Sequence, residues 1–131
     1  MSNTAVITLA EIAPGQTFTY SINTQSGCSY TVKVVDQGGQ VLVEKTAGGV
    51  NWNFTTGVAA ASTDASRLPL MLQITGNGGP TLSVLDSVQK LGSYNATYIT
   101  SYTVCVDDGG TGSDRDFQDL VVTLNAYRSV G

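Results

Sequence analysis

"SYTVKVVDQGGQVLVEKT", residues 29–46, decides the fold class. Tyr30, Val32 and Val34 alternate with polar residues in "SYTVKVV", and Val41 and Val43 do the same in "QVLVEKT". A period of two belongs to half-buried strands, because successive side chains of an extended chain point to opposite faces. Between the runs, "DQGGQ" (Asp36 to Gln40) supplies the glycines of a hairpin loop. The same pattern predicts strands at "AVITLA" (5–10), "TFTYSI" (17–22), "VNWNFTT" (50–56), "LMLQIT" (70–75), "TLSVLD" (81–86), "YITSYTVCV" (98–106) and "DLVVTLN" (119–125). Turn signals such as "APG" and "GNGGP" separate them. About nine short strands at this spacing predict an all-β fold, an antiparallel, Greek-key-like β-sandwich. "GVAAASTDASR" (57–67) reads as a loop or one helical turn. With 131 residues, no internal repeat and no linker, residues 1–131 are expected to form a single domain.

Composition removes several classes of function. Six Lys and Arg against ten Asp and Glu give a net charge of -4, with no basic stripe to neutralise phosphates, so nucleic acid is not expected as a partner. No apolar run is long enough to enter a membrane as a spanning helix, and "MSNTAVITLAEIAPG" has neither the basic start nor the apolar middle of a Sec signal. Histidine is absent, which excludes Ser-His-Asp, Cys-His and zinc-histidine chemistry. Cys28 and Cys105 can form at most one bridge. Cys28 shares a face with Tyr30 and Val32, whereas Cys105 alternates against Tyr102, Val104 and Val106, so simple parity disfavours it.

The chemistry is concentrated in "VDDGGTGSDRDFQD" (Val106 to Asp119), which packs five of the ten carboxylates into thirteen positions with Arg115 as its one basic residue. Such carboxylates repel one another unless a cation lies among them. Calcium, a hard ion taking six to eight oxygen ligands, wants several carboxylates and amide oxygens on a glycine-permitted path. Asp108, Asp114, Asp116, Gln118 and Asp119 are that inventory. Four carboxylates nearly balance two divalent ions, so two calcium ions are expected. An EF-hand is excluded, since the sixth and twelfth positions from Asp114 are Asp119 and Asn125, not Gly and Glu. "GGTGSD" matches the start of a stacked calcium-binding repeat but occurs once. A plain acidic hairpin is the competing reading, opposed by the apolar strands on both sides that force the carboxylates together.

These residues resemble the calcium-mediated fucose/mannose-binding lectins of bacteria, whose C-terminal loop has the form E-D-G-x-D-x-D-Y-N-D followed by an apolar strand and a terminal glycine. In "DDGGTGSDRDFQDLVVTLNAYRSVG", Asp114, Asp116, Gln118 and Asp119 fall on the later calcium ligands, Asp108 (or Asp107) on the first, and the chain ends at Gly131. Phe117 stands for the tyrosine and Gln118 for the asparagine; the loop is two residues longer and the tail lacks the family's Trp-Pro. "ITLAEIAPGQTFTYSINTQSG" resembles the family's first hairpin and places Asn23 on its asparagine ligand. The resemblance implies a nine-stranded sandwich, a sugar pocket lined by Thr24, Gln25 and Ser26, and a homodimer in which the carboxylate of Gly131 completes the partner's calcium site.

The reading is therefore a calcium-dependent carbohydrate-binding protein, not an enzyme. Vicinal sugar hydroxyls act as outer calcium ligands, and Asp114, Asp116 and Asp119 accept their hydrogens. The second reading is a structural calcium-binding module of a bacterial adhesin that binds no sugar. A hydrolase would need one carboxylic acid with a raised pKa, which a calcium-loaded cluster would not supply. Location is expected to be bacterial, cytoplasmic or exported without a Sec signal, with action at or outside the cell surface. Trp52 could stack on a sugar ring, but alternation puts Trp52 and Phe54 on one face and Asn51 and Asn53 on the other, which favours core packing for the aromatic pair. Sequons at Asn53 and Asn95 carry no meaning in a bacterial cytoplasm.

Overall fold

The computed structural model describes residues 3–79, 81–107, 117 and 119–128, and the backbone alone for 51–53. Its elements are β1 (Thr4–Leu9), β2 (Thr17–Val35), β3 (Val41–Ala60), a 3₁₀ turn (Ala65–Arg67), β4 (Leu70–Gly76), β5 (Ser83–Ser93), β6 (Ala96–Asp107) and β7 (Leu120–Tyr127). The fold is all-β, as the alternation predicts, and every strand pair is antiparallel. The strand order is β1-β4-β2-β7-β6-β5, with β3 also paired to β2.

The long strand β2 is the pivot. Its first part, Thr17 to Thr24, pairs with β7, and its last part, Tyr30 to Val35, pairs with β4. Strand β3 follows it along the other edge, with register shifts at Thr24/Ser26 and Ser26/Ser29. Such bulges insert unpaired residues and bend the strand, which lets one sheet fold over on itself. Phe18, Tyr20 and Ile22 from the first part and Tyr30, Val32 and Val34 from the last are all buried and join one core with Leu72, Ile74, Val104, Val122 and Leu124. Tyr20, Ile22, Val32, Val34, Leu72 and Val122 border one small interior void, so the two halves of the sheet face each other across it.

Two expectations are corrected. Nine predicted segments become seven strands, because 17–22 and 29–35 are one bent strand and 40–46 and 50–56 another. The polar stretches "NTQSG" and "AGG" between those segments carry no apolar alternation, yet here they are strand backbone with register shifts. Second, Phe54 is not in the core: it is 61% exposed, as is Val58 at 69%. Outer positions of β3 in this stretch face solvent, and its inner positions are small. Gly57 is required there, since a Cβ would run into the ring and hydroxyl of Tyr20. The side chain of Trp52 lies outside the described residues.

Three smaller features matter later. The turn after β3 begins at Asp64, whose carboxylate accepts the Ser66 N–H at 3.0 Å. Arg67, within that turn, donates from Nε to Asp36 Oδ2 at 2.6 Å, and Asp36 Oδ1 accepts the Gln40 N–H at 2.9 Å, so the turn is fastened to the β2–β3 hairpin. Strands β5 and β6 meet at a two-residue loop, Tyr94 and Asn95, with φ of 52° and 63°. Both values are left-handed, as the tight hairpin turn matching strand twist demands.

Candidate functional site

Strand register assembles the candidate site at one corner of the sheet. Thr24 of β2 lies opposite Leu120 of β7, which lies opposite Val106 of β6. One step further along, the Gln25 N–H donates to the Asp119 carbonyl at 3.1 Å, and Asp107 closes β6 opposite Ser83. The acidic segment thus leaves the sheet at Asp107 and re-enters at Asp119, beside the β2 bulge that carries Asn23 to Ser26. Gln25 and Asp119, nearly a hundred residues apart in sequence, are thereby brought together.

The side chains at this corner differ in character. Asn23 Oδ1 and Thr24 Oγ1 are buried, and no hydrogen bond reaches either atom among the described residues. A buried acceptor left so costs on the order of 1–3 kcal/mol, so these two oxygens mark a place where a donor or cation is wanted. Thr24 is fully buried and Ser26 nearly so. The Ser26 hydroxyl accepts the Cys28 N–H at 3.0 Å and meets the Tyr30 hydroxyl at 3.2 Å. Gln25 and Asp119 are half-buried. The expectation for Thr24, Gln25 and Ser26, which as a short polar run read like a turn offering all three side chains to solvent, is corrected: β2 keeps the alternation of Phe18, Tyr20 and Ile22 as far as Ser26, so Thr24 and Ser26 face inward and Gln25 lies toward the surface. Phe117 has φ of 54°, a left-handed backbone unusual for an aromatic residue and placed at the loop's return to the sheet.

Asp108, Asp114, Asp116, Gln118 and Gly131 lie outside the described residues. Among the described residues, no group of three or more acidic or cysteine side chains gathers to hold a metal. Asn23 Oδ1 and the carboxylate of Asp119, the described candidates at this corner, are oxygen ligands, which suit a hard cation and not a thiolate or imidazole metal. Cys28 and Cys105 are half-buried and not bridged, and burial pushes the Cys105 thiol's pKa up, which suppresses its thiolate. Asp107 and Phe54 are the residues sequence reading under-weighted. Alternation after Tyr102, Val104 and Val106 sends Asp107 outward, yet it is wholly buried at the corner. Phe54 sits opposite Asn23 with its ring exposed.

Comparison with known proteins fits this geometry. Residues 10–128 match the family model of Fucose-binding lectin II (PA-IIL). The chain belongs to that family. It is a carbohydrate-binding lectin, and the family's members are lectins, not enzymes. Among solved structures, a lectin of Chromobacterium violaceum in complex with alpha-methyl-fucoside superposes with a TM-score of 0.69 at 20% identity, over 96% of each chain. The high-affinity mannose-binding lectin of Ralstonia solanacearum gives 0.70 at 20% identity over 96% of each. The C-terminal domain of a lectin from Burkholderia cenocepacia gives 0.65 at 16% identity over the whole of both chains. No curated protein sequence matches the chain.

Proposed function

We propose that this lectin binds fucose- or mannose-type sugars through two calcium ions held by Asn23, Asp108, Asp114, Asp116, Gln118 and Asp119. The observation that carries the reading is the buried Asn23 Oδ1, without a hydrogen-bond donor among the described residues, two residues along β2 from Gln25, whose N–H donates to the Asp119 carbonyl. An amide oxygen in that condition suits a cation, because a hard ion supplies what a missing donor does not. The matching family and the sugars named for the Chromobacterium and Ralstonia lectins support the sugar class.

When bound, calcium supplies a positive centre that vicinal sugar hydroxyls can chelate. The chain's own part is to hold and orient. Asp114, Asp116 and Asp119 accept hydrogens from the same hydroxyls, with the added strength of a charged acceptor. Asn23 contributes a neutral oxygen fixed by strand pairing on both sides, to Val121 and to Phe54. Gln25 offers a side-chain amide at the surface, while Thr24 and Ser26 shape the floor beneath.

Asp119→Ala and Asn23→Ala test the assignment. Asp119→Ala removes a charge from the site and should abolish calcium and sugar binding together, whereas Asn23→Ala removes a neutral ligand and should weaken both less. Full calcium affinity in Asp119→Ala would show the ligand assignment to be wrong.

A further inference from the structure

A shallow groove runs along β2 on the outward face of the sheet, next to the candidate site. Thr19, Ser21, Thr56, Val58 and Asn125 line a recess of about 350 Å³. Its shape follows from register. Opposed residues of antiparallel strands share a face, so Val58, Thr19 and Asn125 form one row across β3, β2 and β7, and Thr56, Ser21 and Thr123 form the next. Phe18, Tyr20 and Ile22 point into the core, which sends Thr19 and Ser21 outward. Their short side chains leave a trough between Thr56 and Val58 on one side and Asn125 on the other. The third row is Phe54, Asn23 and Val121, so the groove runs without a break into the candidate sugar corner.

The lining has one chemical character. No residue of the three rows is charged, so an anionic ligand would find no cation there. Ser101 donates its hydroxyl hydrogen to Asn125 Oδ1, which fixes that amide. Among the described residues no hydrogen bond takes the Asn125 N–H groups or the hydroxyls of Ser21 and Thr56. Phe54, with its exposed ring, stands at the seam between groove and corner. Strand β2 is paired on both sides here, so its backbone has no edge to offer an added peptide strand. Neutral hydroxyl and amide groups beside an exposed ring suit a neutral sugar, whose hydroxyls exchange hydrogen bonds while its C–H face lies on the aromatic.

We propose that the groove holds the second and third residues of a neutral oligosaccharide whose terminal fucose or mannose occupies the calcium corner. This rests on the sugar site proposed above and extends it from a single sugar to a chain. At roughly 3.3 Å per residue, Ser21 lies about 7 Å and Thr19 about 13 Å along β2 from Asn23, so successive rings have a row each. Ser21 and Thr56 meet the second ring, Thr19 and Asn125 the third, and Phe54 lies under the first linkage.

The test is calorimetry of the full chain in calcium with alpha-methyl-fucoside and alpha-methyl-mannoside, and with two neutral trisaccharides that end in those sugars, fucosyllactose and linear mannotriose. At least one trisaccharide should bind about tenfold more tightly than its terminal sugar alone. Thr56→Trp, which fills the trough from an exposed position, should abolish that gain, and Asn125→Ala should reduce it, while both keep the affinity for the single sugar within about twofold. Single sugars that bind with no trisaccharide gain, or a gain that survives Thr56→Trp, would overturn the groove and leave the calcium site standing. No heat from any of the four sugars would overturn the calcium-site reading, and the groove with it. Sedimentation velocity separates sugar from protein as the occupant: wild type and Thr56→Trp should have the same mass, and a smaller mass for the variant would give the groove to a second copy of the chain and overturn the proposal.

Discussion

In the proposed site, Gln25 is the residue at which sugar contact and metal support should separate. Its backbone N–H is engaged by the Asp119 carbonyl, and its side chain is the half-exposed one between two buried neighbours. Gln25→Ala removes the amide and leaves the backbone bond. The ranking of fucose against mannose should therefore shift by about 0.5–1.5 kcal/mol, one hydrogen bond's worth, while calcium affinity stays within about twofold. Calorimetry with calcium alone and then with each sugar measures both, and a parallel fall in calcium affinity would place Gln25 in the metal's support instead. The approach of the Asn23 stretch to Asp119 agrees with the order of a polar motif and an acidic motif in the sequence. The inward position of Thr24 and Ser26 follows the period set by Phe18, Tyr20 and Ile22, but it was missed because the apolar residues that mark that period stop at Ile22 and the polar run after it reads like a turn. Asp107 was hidden for the related reason that alternation fails where a strand ends.

At the scale of the element, the β2–β3 hairpin depends on a carboxylate that the sequence did not single out. Asp36 is buried, and the hydrogen bond from Arg67, with the N–H of Gln40, holds its pKa below the ordinary carboxylate value against the opposing cost of burial. A carboxyl whose folded pKa is depressed contributes stability that is present above the unfolded pKa and is lost as pH falls through the lower folded value. Arg67→Ala removes the largest lowering influence, so its acid unfolding should begin at higher pH than that of the wild type. An acid titration followed by near-ultraviolet circular dichroism would show it, and coincident midpoints would mean that Asp36 draws nothing from Arg67. Strands themselves were readable from period-two alternation, as "SYTVKVV" within β2 and "LMLQIT" within β4 show. Where they joined was not, because bulges at Ser26 and Ser29 leave no apolar signature. The outward half of β5, Ser87 to Ser93, was missed because an exposed edge strand has no inner face to impose alternation.

For the whole molecule, the sheet brings the β2 bulge, Asp107 and Asp119 to one corner, and the proposed sugar site is placed there. The absence of histidine and the oxygen ligands of the proposed site suit a hard cation such as calcium. Anything that binds only the corner's assembled form draws its affinity from that assembly, so sugar binding and metal loading should rise and fall together. The most direct measurement is calorimetric titration of the full chain with alpha-methyl-fucoside and with mannose, first in calcium and then in excess chelator. The account predicts saturable heat for at least one of these sugars in calcium and none in chelator. Heat that survives chelation would contradict the calcium mechanism, and no heat from a calcium-loaded protein would contradict the proposed sugar class.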